Sequence, residues 1–251
     1  MVQREFTLVC YYGAKPAPLE ALLRTLVELL ASRWGGAFEP YALGQMHATL
    51  IGLETELVDG RQVNRWFWRH RGERRLLDAE RLTELIEADP RLPIRIRFGG
   101  FHPRAEYPFT SRGQRPYERM FQCQGAQVVL MGWPEASGTF PATLAELRRE
   151  FESANLLHKY HADPARDADN DLFLVLGQLD RSRLLATDIT AVEREAREFL
   201  ARTPTWVDID RDALALVAYS DPRLPEAESQ SWNAEPALLR RVLGAGGRPS
   251  P

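Results

Sequence analysis

The sequence contains little cysteine and no long apolar run. Its 251 residues include only Cys10 and Cys123, and neither has the spacing of a zinc or redox motif. We interpret both as reduced, buried thiols of a cytosolic protein. No apolar segment approaches the roughly 18 residues needed to cross a bilayer. The sequence therefore predicts no membrane partner.

Several phosphate-binding and nucleophile motifs are also missing. There is no G-x-G-x-x-G, no Walker pattern and no G-x-S-x-G elbow. The N-terminal residues lack the apolar centre of a signal peptide, which predicts a cytoplasmic location. A net charge of −3 argues against a nucleic-acid binder that uses its whole surface. A local basic cleft remains compatible with that charge.

Hydrophobic periodicity predicts alternating strands and helices. In the first half, strands are predicted over residues 6–13, around His47 and over 94–98, with a helix over 18–34 and helical segments between 58 and 90. In the second half, strands are predicted over 127–133, 171–179 and 213–219, with helices over 141–157 and 190–200. This alternation, with few long helices between strands, indicates an α+β fold rather than a doubly wound parallel sheet.

The two halves of the chain follow the same order of elements. The matching positions 6 and 127, 47 and 171, and 94 and 214 are separated by 121, 124 and 120 residues. We expect two pseudo-symmetric lobes of antiparallel sheet, with helices outside, that face each other across a central cleft. They would form one domain over residues 1–243, with halves of about 5–100 and 121–220, followed by a disordered tail at 244–251.

A histidine and a threonine share one face of the strand at 46–53. Side chains at i and i+2 project to the same side of a strand, so His47 and Thr49 point together. Histidine exchanges protons near neutral pH, and a hydroxyl can bind a phosphate oxygen. Taken alone, this tripeptide fits an ordinary surface or core histidine as well as an acid–base site.

The context of this tripeptide resembles the 2H phosphoesterase superfamily, which includes 2′-5′ RNA ligase-like proteins and cyclic phosphodiesterases. The resemblance covers about residues 5–220 and depends on His47-Ala48-Thr49-Leu50, on the duplicated order and on the final strand Leu214-Ala215-Leu216-Val217-Ala218-Tyr219. It implies two facing His-x-Thr/Ser motifs, in which one histidine is the base and the other the acid. The substrate would be a 2′,3′-cyclic or 2′-linked phosphodiester of RNA or a nucleotide. The resemblance implies no metal and no other cofactor.

The second motif departs from this pattern. In the direct register Asp171 replaces the histidine and Phe173 the hydroxyl residue, whereas a shift by two residues places Asp169 and Asp171 there. An ordinary aspartate serves as a base at pH 7 but holds a proton only when it is desolvated or lies beside another carboxylate. We predict a catalytic role for Asp171, although an acidic loop before a plain core strand fits the same residues. His158 and His161 are alternative second histidines, or cations at a helix C-terminus.

Arginines and tyrosines indicate where a substrate could bind. The loop over residues 100–120 alternates arginines with tyrosines, which suits phosphate binding and base stacking, or an exposed connection. In contrast, helical spacing predicts that Trp66 and Phe67 are buried and that the basic residues at 69–71 face solvent. The residues predicted to bind substrate are Tyr12, Arg95, Arg97, Arg112, Arg115 and Tyr117.

Three hypotheses follow from the sequence. The chain is a weak 2H-type phosphodiesterase that uses His47, Thr49 and Asp171, with a nucleotide or RNA phosphodiester as its partner. Alternatively, it is a non-catalytic protein that binds a nucleotide or RNA end in the same cleft, or an α+β interaction protein without a nucleotide role. A monomer is favoured. The group that lies beside His47 in the cleft separates the first hypothesis from the others.

Overall fold

The computed structural model describes residues 4–161 and 169–245, and these residues form the predicted α+β fold. Its strands, in chain order, are β1 (Glu5–Cys10), β2 (Phe38–Pro40), β3 (Ala48–Gly52), β4 (Thr55–Val58), β5 (Arg61–Asn64), β6 (Ile94–Phe98), β7 (Phe121–Gln124), β8 (Gln127–Pro134), β9 (Leu172–Leu179), β10 (Thr205–Ile209), β11 (Leu214–Tyr219) and β12 (Gln230–Asn233).

Helices fill the connections between these strands. In chain order they are α1 (Ala17–Trp34), α2 (Arg65–Arg71), α3 (Ala79–Ala88), α4 (Pro116–Arg119), α5 (Thr143–Glu150), α6 (Ala186–Arg202) and α7 (Pro236–Ala245). Helix α1 forms as predicted because its leucines recur at helical spacing and make one buried face. It ends at Gly35, whose positive φ of 51° favours glycine over other residues.

Ten of the strands form one antiparallel sheet. Its main path runs β10-β6-β8-β9-β3-β1-β11-β12, while β2 pairs with β9 and β7 pairs with β8. Strands β3 and β9 lie at the centre, where a single register pair, Ala48 with Leu174, joins them. The sheet is therefore continuous but weakly connected at its middle, and the predicted lobes meet at this junction.

The strand order is symmetric about that junction. Strands β9, β8, β6 and β10 on one side correspond to β3, β1, β11 and β12 on the other. However, β6 comes from the first half of the chain and β11 from the second half. Each lobe thus takes its third strand from the opposite half of the sequence. The predicted repeat halves at 5–100 and 121–220 therefore do not coincide with the two lobes of the sheet, because alternating apolar residues define a strand face without naming its partner.

The two faces of the sheet are covered differently. Helix α1 packs against one face, where Leu8, Ala48, Leu50 and Leu174 belong to the main core. On the other face, two loops cover the outer strands of the lobes. The arginine-rich loop places an aromatic cluster over β8, and Leu224 packs on a small core around Val9. The middle of this second face stays open over the β3–β9 junction and forms a cleft.

The structure differs from the sequence prediction at several connections. Residues 55–64 form the β4–β5 hairpin, where a helical segment was expected, because strand alternation over four residues is too short to stand out. Helix α5 ends at Glu150 and a 3₁₀ turn follows it. Helix α7 runs to Ala245, so the predicted tail begins too early, and its residues 246–251 lie outside the described range. Within that range, no helix has the length and apolarity of a bilayer span.

Both cysteines are present as free thiols. Cys10 is buried, as predicted, whereas Cys123 is only half-buried. Burial raises the pKa of each thiol to about 12. Both side chains are therefore protonated at neutral pH, and neither is an activated nucleophile.

Candidate active site

The predicted catalytic side chains line one cleft over the β3–β9 junction. His47 and Thr49 reach it from the start of β3, while Asp171 and Phe173 reach it from the start of β9. The parity of strand β3 therefore predicted the side to which His47 and Thr49 point. The two motifs meet because β3 and β9 are hydrogen-bonded neighbours.

The ring of His47 is held in one tautomer. Its Nδ1 lies 2.6 Å from the backbone carbonyl of Gln45, which can only accept a hydrogen bond, so Nδ1 carries the hydrogen and donates. The lone pair is then on Nε2. Tyr12 packs edge-on against the imidazole, with 5.9 Å between the ring centroids. Desolvation, assisted by the nearby Lys15 ammonium, lowers the pKa of His47 to about 4. His47 is therefore a neutral, oriented base at pH 7.

Thr49 and Phe173 are neighbours on the adjoining strands. The register of Ala48 with Leu174 places them opposite each other on the cleft side, and both are half-buried. A phenyl ring therefore stands beside the hydroxyl of Thr49 in the cleft. It offers an apolar surface and no hydrogen bond to a phosphate. This confines the hydroxyl chemistry of the two motifs to Thr49.

Asp171 belongs to a buried network. Its Oδ2 accepts hydrogen bonds from the hydroxyl of Ser111 and from Nη2 of Arg119, each at 3.0 Å. Burial raises the pKa of Asp171, and the adjacent Asp169 carboxylate adds to this effect, while Arg148 and Arg119 oppose it. Because one carboxylate oxygen of Asp171 binds both donors, the observed contacts connect Ser111 and Arg119 to the start of β9. The catalytic role of Asp171 remains a prediction.

The hydrogen bond between Asp171 and Ser111 helps to position Arg112. Ser111 and Gln114 exchange backbone hydrogen bonds of 2.9 and 3.0 Å, which closes a two-residue hairpin around Arg112 and Gly113. Both central residues have positive φ, 49° for Arg112 and 73° for Gly113, as such a tight hairpin requires. The guanidinium of Arg112 then lies 4.6 Å from the ring centre of Tyr160. Arg112 lines the cleft, as predicted.

Arg148 joins the two central strands. It donates to the backbone carbonyls of Thr49 and Leu50 on one side, at 3.1 and 3.3 Å. On the other side it donates to the carbonyls of Asp169 and Asp171, at 2.8 and 2.9 Å. Its side chain is only 3% exposed. This arginine therefore supplies hydrogen bonds at the point where the β3–β9 ladder has a single pair.

The other predicted substrate-binding residues do not line the cleft. Arg95 and Arg97 lie on β6, two strands from the junction, and Arg97 donates to the carbonyls of Gly99 and Gly100. Arg115 donates to the carbonyl of Ala105, and Tyr117 packs against the core on α4. Tyr12 supports His47 and donates its hydroxyl to the carbonyl of Leu224.

The histidine loop, residues 155–161, contributes groups that the sequence prediction placed elsewhere. Asn155 has a positive φ of 60° and turns the chain out of the 3₁₀ segment Phe151–Ala154. His158 is buried and lines the cleft, and His161 is buried beside it. Desolvation lowers the pKa of His158 well below its usual value, and the positive charge of Arg148 lowers it further. The burial of His158 in the cleft wall does not fit its interpretation as a cation at a helix C-terminus.

Aromatic rings and further cations complete the cleft. Trp66 is half-buried, lines the cleft and stacks on His70 at 5.5 Å between centroids. It is thus less buried than predicted, whereas Phe67 is in the core. Lys159 and Tyr160 are exposed at the cleft wall. In the sequence, the one indication that Trp66 could lie at the site was the run of aromatic and basic residues at 66–71.

The comparisons with known proteins bear on the fold alone. No protein-family model and no curated protein matches the chain. Several solved structures are similar to it, among them the following two. One is a conserved protein of unknown function, ATU0111, from Agrobacterium tumefaciens str. C58, with 14% identity, a TM-score of 0.46 and coverage of 88% of this chain and 82% of that one. The other is TT0787 of Thermus thermophilus, with 16% identity, a TM-score of 0.41 and coverage of 91% and 93%.

Proposed function

We propose that the cleft binds a nucleotide or RNA end and hydrolyses a 2′,3′-cyclic or 2′-linked phosphodiester by acid–base chemistry. The observation that carries this proposal is the placement of His47, whose Nδ1 is bound to the Gln45 carbonyl and whose ring lines the cleft together with Thr49. An imidazole in a cleft whose basic lone pair is assigned to Nε2 is equipped to take a proton from a bound water.

The proposed base is Nε2 of His47. It takes a proton from the attacking water as the new P–O bond forms, since its lone pair is the basic one once Nδ1 donates to Gln45. The hydroxyl of Thr49 donates a hydrogen bond to a phosphate oxygen. Departure of the ribose oxygen requires a proton, which the altered second motif supplies poorly. We therefore expect slow turnover.

The cations and rings of the cleft suit the rest of a nucleotide. Arg112 and Lys159 lie at the wall that carries Tyr160, and both contact its ring, with 4.6 and 4.8 Å to the centroid. Guanidinium and ammonium groups bind phosphate, and aromatic faces stack on bases. Trp66 offers a second ring in the same cleft. This combination favours a nucleotide over an uncharged ligand.

A second candidate function is binding without turnover. Phe173 occupies the position of the second hydroxyl, and Asp171 is bound to Ser111 and Arg119. Both features remove proton-transfer groups while leaving the phosphate-binding side of the cleft intact. Under this second candidate, the nucleotide or RNA end binds between Arg112 and Thr49 and is released unchanged.

Hydrolysis of 2′,3′-cyclic AMP and of a 2′-5′-linked dinucleotide tests the proposal. The assay follows products by ³¹P NMR and contains EDTA, so that adventitious metal does not contribute. We expect measurable turnover by the wild type and a loss of about 10²–10⁴-fold in His47→Ala, the usual contribution of a general base. The matched control is His102→Ala, because His102 is exposed and lies outside the cleft.

The two candidate functions give different results in this experiment. If wild type and His47→Ala both hydrolyse the substrates at the uncatalysed rate, the hydrolase proposal fails. Calorimetric binding of 2′-AMP and 3′-AMP to the same proteins then decides whether the cleft is a nucleotide-binding site. An absence of both turnover and binding would leave the interaction protein as the surviving hypothesis.

A further inference from the structure

Three side chains of metal-ligating type meet at the end of the histidine loop. They are His158, His161 and Asp169, and their ligand atoms all lie within 4.8 Å of one another. Nδ1 of His158 is 3.1 Å from Oδ2 of Asp169, and the two imidazole centroids are 5.0 Å apart. Both histidines are buried, and the side chain of Asp169 is 9% exposed. Such a cluster is unusual in a protein interior.

The backbone around these groups is fixed from several directions. The amide of His161 donates to the carbonyl of His158 at 2.8 Å, which closes the turn that carries both imidazoles. The carbonyl of Asp169 accepts from Arg148. Next to it, Asn170 accepts from the amide of Ala145 and donates to the carbonyl of Pro141. Ligands held in this way are preorganised, as functional metal sites require.

The ligand set defines the class of ion. Two imidazoles and one carboxylate suit divalent first-row transition ions such as Zn²⁺, whereas Mg²⁺ and Ca²⁺ prefer oxygen ligands alone. With bonds of about 2.0–2.2 Å to a tetrahedral ion, ligand atoms are roughly 3.3 Å apart. The present atoms lie within 4.8 Å of one another and must therefore move closer together when an ion binds. Three protein ligands leave one position for water or another ligand.

We propose that His158, His161 and Asp169 bind one divalent transition-metal ion, with Zn²⁺ as the representative case, and that its remaining coordination position opens toward the cleft. His158 and Asp169 both line that cleft, which sets the direction of the open position. The guanidinium of Arg148 lies 3.5 Å from the Asp169 carboxylate, so a bound ion shares this carboxylate with an arginine. The inference does not depend on the hydrolase proposal.

The first test uses the wild-type protein, free of any affinity tag. After treatment with EDTA and removal of the chelator, it is titrated with Zn²⁺ in a calorimeter, and the expected stoichiometry is one ion per chain. The sequence has five histidines, which makes their ring signals separable by NMR. We expect Zn²⁺ to shift the ring nitrogens of His158 and His161 and to leave those of His47, His70 and His102 in place.

Two variants test the ligands individually. His161→Ala and Asp169→Asn should each weaken Zn²⁺ binding by about 10-fold or more, since even outer groups of metal sites contribute 10–100-fold. His102→Ala is the matched control and should bind as the wild type does. Substoichiometric binding, or Zn²⁺-induced shifts at other histidines, would overturn the proposal. The measurements on the wild type need neither a substrate nor a folded variant. A failure of the metal-site proposal can therefore be distinguished from a failure of the hydrolase proposal.

Discussion

The guanidinium of Arg119 and the carboxylate of Asp171 form a buried ion pair, with 3.0 Å between Nη2 and Oδ2. The two side chains are only 3% and 5% exposed. Ser111 donates to the same carboxylate oxygen and connects the pair to the hairpin that carries Arg112. Asp171 thus helps to hold the wall of the cleft.

Removing one partner of this pair should destabilise the protein strongly. Arg119→Met leaves the Asp171 charge buried without its main partner, and losses of about 3–5 kcal/mol are usual in such cases. Urea unfolding measures the change. The control is Arg69→Met, because the Arg69–Glu56 pair is largely exposed, with side chains 55% and 31% accessible. That change should cost about 1 kcal/mol or less. Equal losses in both variants would contradict the anchoring role.

The sequence predicted the parts of the site that follow from the alternation of side chains along one strand. His47 and Thr49 are two residues apart on a strand, so their common face follows from the pleat. Arg112 could be proposed from composition, because its loop is rich in arginine and tyrosine. The argument from a shared strand face was wrong in placing Arg95 and Arg97 at the cleft. Strand parity gives the face of a side chain but not the position of the strand in the sheet.

The remaining features depend on contacts between distant segments. The exchange of β6 and β11 between the lobes could not be predicted from the sequence, because the apolar pattern of each strand fits the position of the other equally well. Arg148 and Arg119 are separated from Asp171 by 23 and 52 residues, so their roles appear only once the chain is folded. His158 follows a helical segment, and its reach into the cleft depends on the turn at Asn155.

The titration of His47 is a second prediction. An NMR titration of the folded protein should give it a pKa of about 4, compared with about 6.5 for an unperturbed histidine. The nitrogen chemical shifts should report a proton on Nδ1, which lies 2.6 Å from the Gln45 carbonyl. A pKa near 6.5 would contradict the desolvation of the ring, and a proton on Nε2 would contradict the proposed base.

The same shift predicts how stability depends on pH. The folded pKa of His47 lies below the unfolded value, so between about pH 6.5 and pH 4 the unfolded chain binds more protons. This contribution is fully present above pH 6.5 and is lost as the pH falls toward 4. Between pH 7 and pH 5 the wild type should lose about 1–2 kcal/mol more than His47→Gln. Urea unfolding of both proteins at the two pH values measures this difference, and parallel losses would argue against it.

Arg112 should control the affinity of the cleft for phosphate. Its guanidinium is exposed at the cleft wall, and a hydrogen bond to a charged group contributes about 1.5–3 kcal/mol. Arg112→Ala should therefore weaken the binding of 2′-AMP or 3′-AMP by about 10–100-fold in a calorimetric titration, while leaving stability nearly unchanged.

The matched control for Arg112 is Arg104→Ala. Arg104 is an exposed arginine of the same loop, but it lines a separate surface pocket with Tyr107 and Phe109 rather than the cleft. A general loss of positive charge would weaken nucleotide binding equally in both variants, and the loss would disappear at high salt. We expect instead that Arg104→Ala binds as the wild type does. Equal weakening in the two variants would show that the nucleotide responds to the overall charge of the loop and not to the Arg112 hairpin that Asp171 holds in place.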